Sequence, residues 1–180
     1  MLLYNSPISG NCFKVRLLLS YLGIPYERRD LDVVDRSDRP AVLGGLNPDL
    51  RVPTLVFDDG RPLAESGAIL WYFGEGTRFV PDDAYERAKV LQWMFFEQYS
   101  HEPALAVVRF LVAYSGRADE HRETIEAKTT QGYKALDAME AHLGAADDVA
   151  FLVHAETFEG DWFLRLPAEN VNLTASRIST

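Results

Sequence analysis

A hydroxyl and a thiol stand near the predicted start of the first helix, where they could act on a reactive sulfur. Ser9 ends a loop that contains Pro7, and Cys12 lies in the turn that follows. The unpaired amides of a helix N-terminus favour an anion by about 0.3–1 kcal/mol. A hydroxyl there either caps the helix or donates to a bound thiolate and lowers its pKa. Because Cys12 is the single cysteine, an internal dithiol pair is excluded, whereas a one-thiol reaction is not.

A proline separates a polar loop from an apolar run in the tripeptide Val52-Pro53-Thr54. Proline has no amide hydrogen, and an X-Pro bond is the only peptide bond that becomes cis at low cost. An ordinary trans turn and a cis bond are both compatible with this tripeptide alone. A cis bond would turn the N–H and C=O of Val52 outward, where they could pair with an extended, peptide-like ligand.

The pair Glu65-Ser66 opens the third predicted helix. Ser66 could cap this helix with its side chain, while its backbone N–H could bind a carboxylate and Glu65 could bind an ammonium group. Arg51 lies just before the proline pair and is either a solvated loop charge or a ligand contact. Taken singly, each feature is more typical of an ordinary cap or loop, so the order of the elements must decide.

Strands and helices alternate around these residues. The predicted strands are 2–4, 26–34, 54–57 and 61–64, and the predicted helices are 11–22, 39–46 and one that begins at residue 65. A helical crossover joins the first two strands, which should therefore be parallel, and a turn of hairpin type joins the last two. This β-α-β-α-β-β-α order predicts a thioredoxin-like domain over residues 1–75.

An all-α domain is predicted over residues 83–153, which makes the fold class α+β. Asp83 and Glu86 fit a capping box that opens a long helix, and we expect this helix to bend near Pro103. Residues 154–180 show no sustained helical period and are predicted to be an atypical tail. A second long helix, residues 119–143, has one recurrent face formed by Ile125, Thr129, Tyr133, Leu136, Met139 and Leu143.

Composition restricts the class of partner. The net charge of -9 argues against nucleic acids and anionic membranes. No apolar run approaches the roughly 20 residues that span a bilayer. The first residues have no signal-peptide pattern, and a single cysteine fits a reducing compartment, so we expect a cytoplasmic protein without a metal cofactor.

Together, the ordered motifs resemble the cytosolic glutathione transferases, most strongly the bacterial Ser-type members. The resemblance covers the whole first domain and extends to about Val153. It rests on Ser9 before Phe13-Lys14-Val15-Arg16-Leu17, on Asn47-Pro48 followed by Val52-Pro53-Thr54-Leu55, and on Glu65-Ser66-Gly67-Ala68-Ile69.

The resemblance implies a homodimer that conjugates the thiolate of glutathione to a small electrophile. Ser9 would activate the thiolate, Val52 beside a cis Pro53 would pair with the cysteinyl part, and Glu65 and Ser66 would hold the γ-glutamyl end. The electrophile would lie between the Ser9 loop and the first long helix. The further contacts implied are Arg51 toward glutathione, Asn11 and Cys12 around the sulfur of glutathione, and Tyr99 and His101 toward the electrophile.

Two alternatives stay open. Family members continue with a buried helix opened by a Ser/Thr-x-x-Asp cap, and here Thr157 and Asp161 are one residue too far apart. One alternative is therefore a non-enzymatic or inactive glutathione-binding protein with an incomplete second domain. The other is a glutaredoxin-like thiol enzyme that depends on Cys12, although Ser9 at the first thiol position favours the transferase.

Overall fold

Residues 1–145 are described by the structure, a computed structural model. The chain divides into two compact units, the first ending at Asp82 and the second beginning at Asp83. The predicted tail over residues 154–180 lies outside the described residues, as does the end of the predicted helical domain. Within residues 1–145, no helix is long and apolar enough to cross a membrane.

A four-stranded mixed sheet organises the first unit, with the strand order β2-β1-β3-β4. β1 is parallel to β2 and antiparallel to β3, and β3 is antiparallel to β4. This topology confirms the predicted thioredoxin-like fold. The strands are β1 (Leu2–Asn5), β2 (Glu27–Asp30), β3 (Thr54–Val56) and β4 (Pro62–Ala64), and the helices are α1 (Gly10–Tyr21), α2 (Arg39–Leu43) and α3 (Ser66–Gly74).

The second strand is shorter than predicted. β2 ends at Asp30 rather than at residue 34, and it forms an edge of the sheet with all of its residues exposed. The chain turns after it because the Asp32 carboxylate accepts hydrogen bonds from the amides of Val34 (2.7 Å) and Asp35 (3.2 Å). An Asx turn of this kind competes with the ladder and ends the strand.

Both faces of the sheet are covered. Leu3 and Leu55 are register partners and are fully buried. Side chains alternate along a strand, so Tyr4 points to the opposite face, where Leu31 and Leu43 pack against it. The sheet is therefore enclosed by apolar side chains on two sides, and the loops at its ends are what remains accessible to a ligand.

The second unit is helical throughout its described part. Its elements are α4 (Ala84–Phe96), a π-helical segment (Glu97–His101), α5 (Glu102–Ala113), a 3-10 turn (Asp119–His121) and α6 (Arg122–Ala145). The carboxylate of Asp83 caps α4 by accepting from the amides of Tyr85 (2.9 Å) and Glu86 (3.0 Å). This bond pattern is the cap half of the predicted capping box.

The predicted long helix is interrupted just before Pro103. The π-helical segment ends at His101, and Pro103 lies in the first turn of α5. Proline has no amide hydrogen and its ring crowds the carbonyl one turn earlier, so the helical ladder cannot run through it unchanged. A single wide turn is a common way to absorb such an interruption.

Helix α6 packs against α5 through a small residue that the periodicity did not select. Tyr133 belongs to the recurrent face by its spacing, but it is 65% exposed. The buried positions next to it are Gly132 and Ala135. A Cβ on Gly132 would lie only 2.7 Å from Leu105 Cδ2, which shows that the two helices approach closely there.

Candidate functional site

The sheet brings the three predicted motifs to one of its ends. Tyr4 pairs with Thr54 across antiparallel strands, so the loop after β1 lies beside the residues that precede β3. Thr54 also pairs with Ala64, so the start of α3 follows at the same end. The Ser9 loop, the Val52-Pro53 pair and residues 65–66 therefore converge within the first unit, although they are far apart in sequence.

Ser9 caps α1, as one of its two predicted roles requires. Its backbone is extended, with φ of -84° and ψ of 123°, and its hydroxyl oxygen accepts a hydrogen bond from the Cys12 amide at 3.3 Å. The Ser9 carbonyl accepts from the amide of Phe13 at 2.9 Å and begins the helical ladder. The hydroxyl is thereby fixed at the positive end of α1, at the mouth of the converging loops.

Cys12 is a buried thiol beneath this turn. It has no exposed surface, and its Sγ accepts a hydrogen bond from the Ser6 amide at 3.3 Å. Burial raises the pKa of the Cys12 thiol, and the hydrogen bonds from Ser9 and Ser6 oppose that change only in part. The thiol is therefore protonated at neutral pH and connects the loop before α1 to the helix itself.

The loop after β1 is further anchored by residues that the sequence analysis did not select. Arg16 donates to the side-chain oxygen of Asn5 and, at 3.3 Å, to the carbonyl of Ser6. The Asn5 amide in turn donates to Asp30 at 2.6 Å. The sequence feature that could have indicated this role is Asn5, a polar residue at the end of an otherwise apolar strand. In the structure Asn5 is fully buried.

The Val52-Pro53 peptide bond is cis, which confirms the prediction. The pairing of β1 with β3 begins at Thr54, so the backbone of Val52 lies outside the ladder. Buried Asn47 supports this loop by donating to the Arg51 carbonyl at 3.2 Å and to Thr54 Oγ1 at 3.1 Å. Thr54 Oγ1 also donates to the Arg51 carbonyl at 2.8 Å, so the backbone before Val52 is held by two side chains.

Arg39 supports the same loop from α2. Its guanidinium is almost fully buried and donates to the carbonyls of Leu50 (3.0 Å) and Asp32 (2.8 Å). Leu50 has a positive φ of 56°, a conformation that is uncommon for a residue with a side chain. The sequence gives no local indication of this role, because the partners of Arg39 are backbone groups of distant loops.

The start of α3 differs in one respect from the prediction. Glu65, rather than Ser66, occupies the N-cap position, and it does so with a φ of 65° and without a side-chain cap. Ser66 is the first helical residue, and its hydroxyl donates to Asn11 Oδ1 at 2.9 Å. The predicted cap by the Ser66 side chain is therefore wrong, and the first-turn amides of α3 have no cap from the Glu65 side chain.

Arg51 lies at the rim of this end of the sheet. Its side chain is 71% exposed and pairs with the carboxylate of Asp49 at 2.6 Å. An exposed pair of this kind contributes about 0–1 kcal/mol to stability and leaves the guanidinium free to exchange partners. The geometry matches the solvated loop charge that was one of the two interpretations of Arg51.

Tyr99 and His101 both lie in the π-helical segment of the second unit. Tyr99 is 87% exposed, whereas His101 is 1% exposed. Residues two apart on a helix point in nearly opposite directions, so the two side chains do not line one surface. Within residues 1–145, no group of three or more His, Cys, Asp or Glu side chains could hold a metal ion.

Comparisons with known proteins identify a protein family that matches the first unit. Residues 8–75 match the protein family described as "Glutathione S-transferase, N-terminal domain". The fold is similar to the crystal structure of a glutathione S-transferase from Pseudomonas fluorescens Pf-5, with a TM-score of 0.78 and 40% sequence identity. That similarity covers 87% of this chain and 78% of the other.

Yeast proteins are a second group of relatives. Protein URE2 of Candida maltosa is 30% identical over 113 residues, which is 57% of this chain and 34% of that protein. The chain spans only 34% to 37% of the length of three such URE2 proteins. The structure of Ure2p in complex with glutathione is also similar, with a TM-score of 0.68 and 26% identity, over 80% of this chain and 68% of that one.

Proposed function

Because the chain belongs to the glutathione S-transferase family, we propose that it binds glutathione and conjugates its thiolate to a small electrophile. One observation carries this proposal: the Ser9 cap, the cis Val52-Pro53 bond and the start of α3 converge at one end of the sheet. Glutathione is an extended peptide with a thiol near its middle and an amino-acid group at one end. The Ser9 cap suits the thiol, the Val52-Pro53 backbone suits the extended peptide, and the start of α3 suits the amino-acid group.

Backbone and side-chain groups bind different parts of glutathione. The N–H and C=O of Val52, outside the ladder, pair with the cysteinyl part of glutathione as an added strand would. The γ-glutamyl carboxylate binds the backbone N–H of Ser66 at the positive end of α3. The carboxylate of exposed Glu65 binds the α-ammonium group, and Arg51 is a secondary contact at the rim.

Ser9 supplies the chemistry by stabilising a thiolate. Its hydroxyl donates to the sulfur of bound glutathione, and the N-terminus of α1 adds a partial positive charge. The thiol proton leaves to solvent, the sulfur forms a bond to the electrophilic carbon, and the leaving group departs with its electron pair. The protein holds the nucleophile in position and forms no covalent intermediate.

The state of Cys12 disfavours a glutaredoxin-like enzyme. Burial raises the pKa of this thiol, whereas attack on a disulfide needs an accessible thiolate. Cys12 is therefore assigned a packing role beside the sulfur site. The similarity to Ure2p, solved in complex with glutathione, supports binding and does not bear on conjugation. A glutathione-binding protein without conjugating activity is therefore the second candidate function.

The assembly and the electrophile pocket belong to the same proposal. We expect a cytoplasmic homodimer, and light scattering of the purified protein will test its dimeric state. Of the two residues predicted to contact the electrophile, Tyr99 is exposed and His101 is buried, so Tyr99 is the stronger candidate for that contact.

Thermal unfolding of the full chain with and without glutathione tests the binding step. A ligand at 100 times its dissociation constant stabilises by about 2.7 kcal/mol. For a protein of this size we expect Tm to rise by roughly 5–10 °C. Cysteinylglycine, which lacks the γ-glutamyl group, is the matched control and should give a much smaller rise.

Conjugation is then measured with a chlorodinitrobenzene, whose glutathione adduct absorbs in the near ultraviolet. Binding together with conjugation supports the transferase. Binding without conjugation of this or of other common electrophiles supports the second candidate. No rise in Tm at millimolar glutathione would reject both.

A further inference from the structure

A hydrogen bond joins the two helices whose N-termini face the ligand end of the sheet. The Ser66 hydroxyl donates to Asn11 Oδ1 at 2.9 Å, across a sequence separation of 55 residues. Asn11 is in the first turn of α1, two residues after Ser9, and Ser66 is the first residue of α3. The bond therefore connects the sulfur end of the proposed glutathione site to its amino-acid end.

This bond decides which group of Ser66 can meet a ligand. A serine hydroxyl has one hydrogen, so while it donates to Asn11 it cannot also donate to a carboxylate. The Ser66 side chain is almost fully buried, which limits rotation to other partners. The backbone N–H of Ser66 is then the donor that faces the ligand, and the side chain fixes where that donor points.

The residue before Ser66, Glu65, has a backbone conformation that needs support from its surroundings. Glu65 has a φ of 65°, a left-handed conformation that is uncommon for a residue with a side chain. Such a conformation persists only where the surroundings hold it, and the Glu65 side chain contributes no cap. The Asn11 bond is one contact that holds the next residue in place from outside α3.

We propose that Asn11 is a positioning residue for the amino-acid end of the glutathione site, acting through the Ser66 hydroxyl. This inference rests on the proposed function. It differs from the prediction that Asn11 contacts the sulfur, because a positioning role concerns the γ-glutamyl group and not the thiol. The two roles therefore separate with a ligand that has no ionisable thiol.

The test measures the affinity of the full chain for S-methylglutathione by calorimetry in a double-mutant cycle. The variants are Asn11→Ala, Ser66→Ala and the double variant, and Ser66→Ala keeps the backbone N–H. We expect each single variant to bind roughly three- to tenfold more weakly, the effect of one hydrogen bond. The double variant should bind no more weakly than the singles, because both remove the same bond.

Kinetics provide the readout that a merely structural role would not move. Asn11→Ala should raise the KM for glutathione and leave kcat, and the pH at which conjugation reaches half its maximum, unchanged. Ser20→Ala, on the exposed side of α1, is the matched control and should match the wild type in every measurement. Melting temperatures without ligand show that each variant is folded.

Several results would overturn the inference. Additive losses in the double variant would mean that Asn11 and Ser66 act independently. Wild-type affinity for S-methylglutathione in Asn11→Ala, or a shifted pH profile, would place Asn11 at the sulfur instead. If the wild type itself fails to bind S-methylglutathione and glutathione, the proposed function falls and this inference with it, an outcome distinct from the others.

Discussion

Replacing Ser9 with alanine separates a structural role of its hydroxyl from a chemical one. The change removes the oxygen that caps α1 by accepting from the Cys12 amide at 3.3 Å. Loss of such a cap costs about 1 kcal/mol, which lowers the Tm of a protein of this size by roughly 2–4 °C. If capping were the whole role of Ser9, this decrease would be the only consequence.

The chemical role predicts a second and larger effect. A hydrogen bond to a charged acceptor contributes about 1.5–3 kcal/mol, so its loss raises the pKa of the bound glutathione thiol by roughly 1–2 units. Conjugation follows the fraction of thiolate. Below the lowered pKa of the wild-type complex, Ser9→Ala should therefore be roughly ten- to hundredfold slower. Above the ordinary thiol pKa of about 8.5, the two rates should converge.

The assay is kcat/KM for a chlorodinitrobenzene at saturating glutathione, which reports the thiol in the enzyme–glutathione complex, measured across pH and corrected for the uncatalysed reaction. Ser9→Thr keeps a hydroxyl and should retain most of the wild-type profile, while Ser20→Ala controls for loss of an exposed serine on the same helix. A decrease of equal size at every pH would refute thiolate stabilisation by Ser9. An unchanged profile together with a lower Tm would leave Ser9 as a helix cap.

Three further variants test other parts of the structure. Cys12→Ala should keep conjugating activity. Burial raises the pKa of this thiol, so the stability that the protonated thiol contributes is present below its unfolded pKa and decreases as pH rises toward the folded value. Denaturation from pH 7 upward should therefore show a decreasing difference in free energy of unfolding between wild type and variant. Asn47→Ala leaves buried backbone groups of the proline loop unpaired and should cost about 1–3 kcal/mol in urea denaturation while weakening glutathione binding. Gly132→Val should cost about 1–3 kcal/mol more than Gln131→Val at the adjacent exposed position, because only the former places atoms against Leu105; equal losses would contradict close packing of α5 and α6.

The elements that position the site were accessible from local chemistry. Pro and Gly residues mark the turns, and the Ser9 and Asp83 side chains cap the helices that follow them. Such features act within four residues of chain, so the sequence contains both partners side by side. The strand and helix order, and with it the thioredoxin-like topology, follows from these boundaries and from the rules for strand connections.

Helix faces were predicted less well. The recurrent face of α6 includes Tyr133, which is exposed, whereas the close contact with α5 is made at Gly132. Likewise, Tyr99 and His101 are both aromatic and nearby in sequence, yet only one of them is exposed. Burial at such positions depends on the shape of the opposing helix, which periodicity alone does not contain.

By itself, the sequence determined the order of the elements, the single thiol, the hydroxyl at the start of α1 and the proline at the start of β3. Only the tertiary structure decided that Ser66 donates to Asn11, that Asn47 holds the carbonyl of Arg51, and that Cys12 is a buried, protonated thiol. The physical reason is the distance along the chain over which each interaction acts. Caps and turns are local equilibria of the chain, whereas side-chain hydrogen bonds and burial are set by residues that only folding brings together.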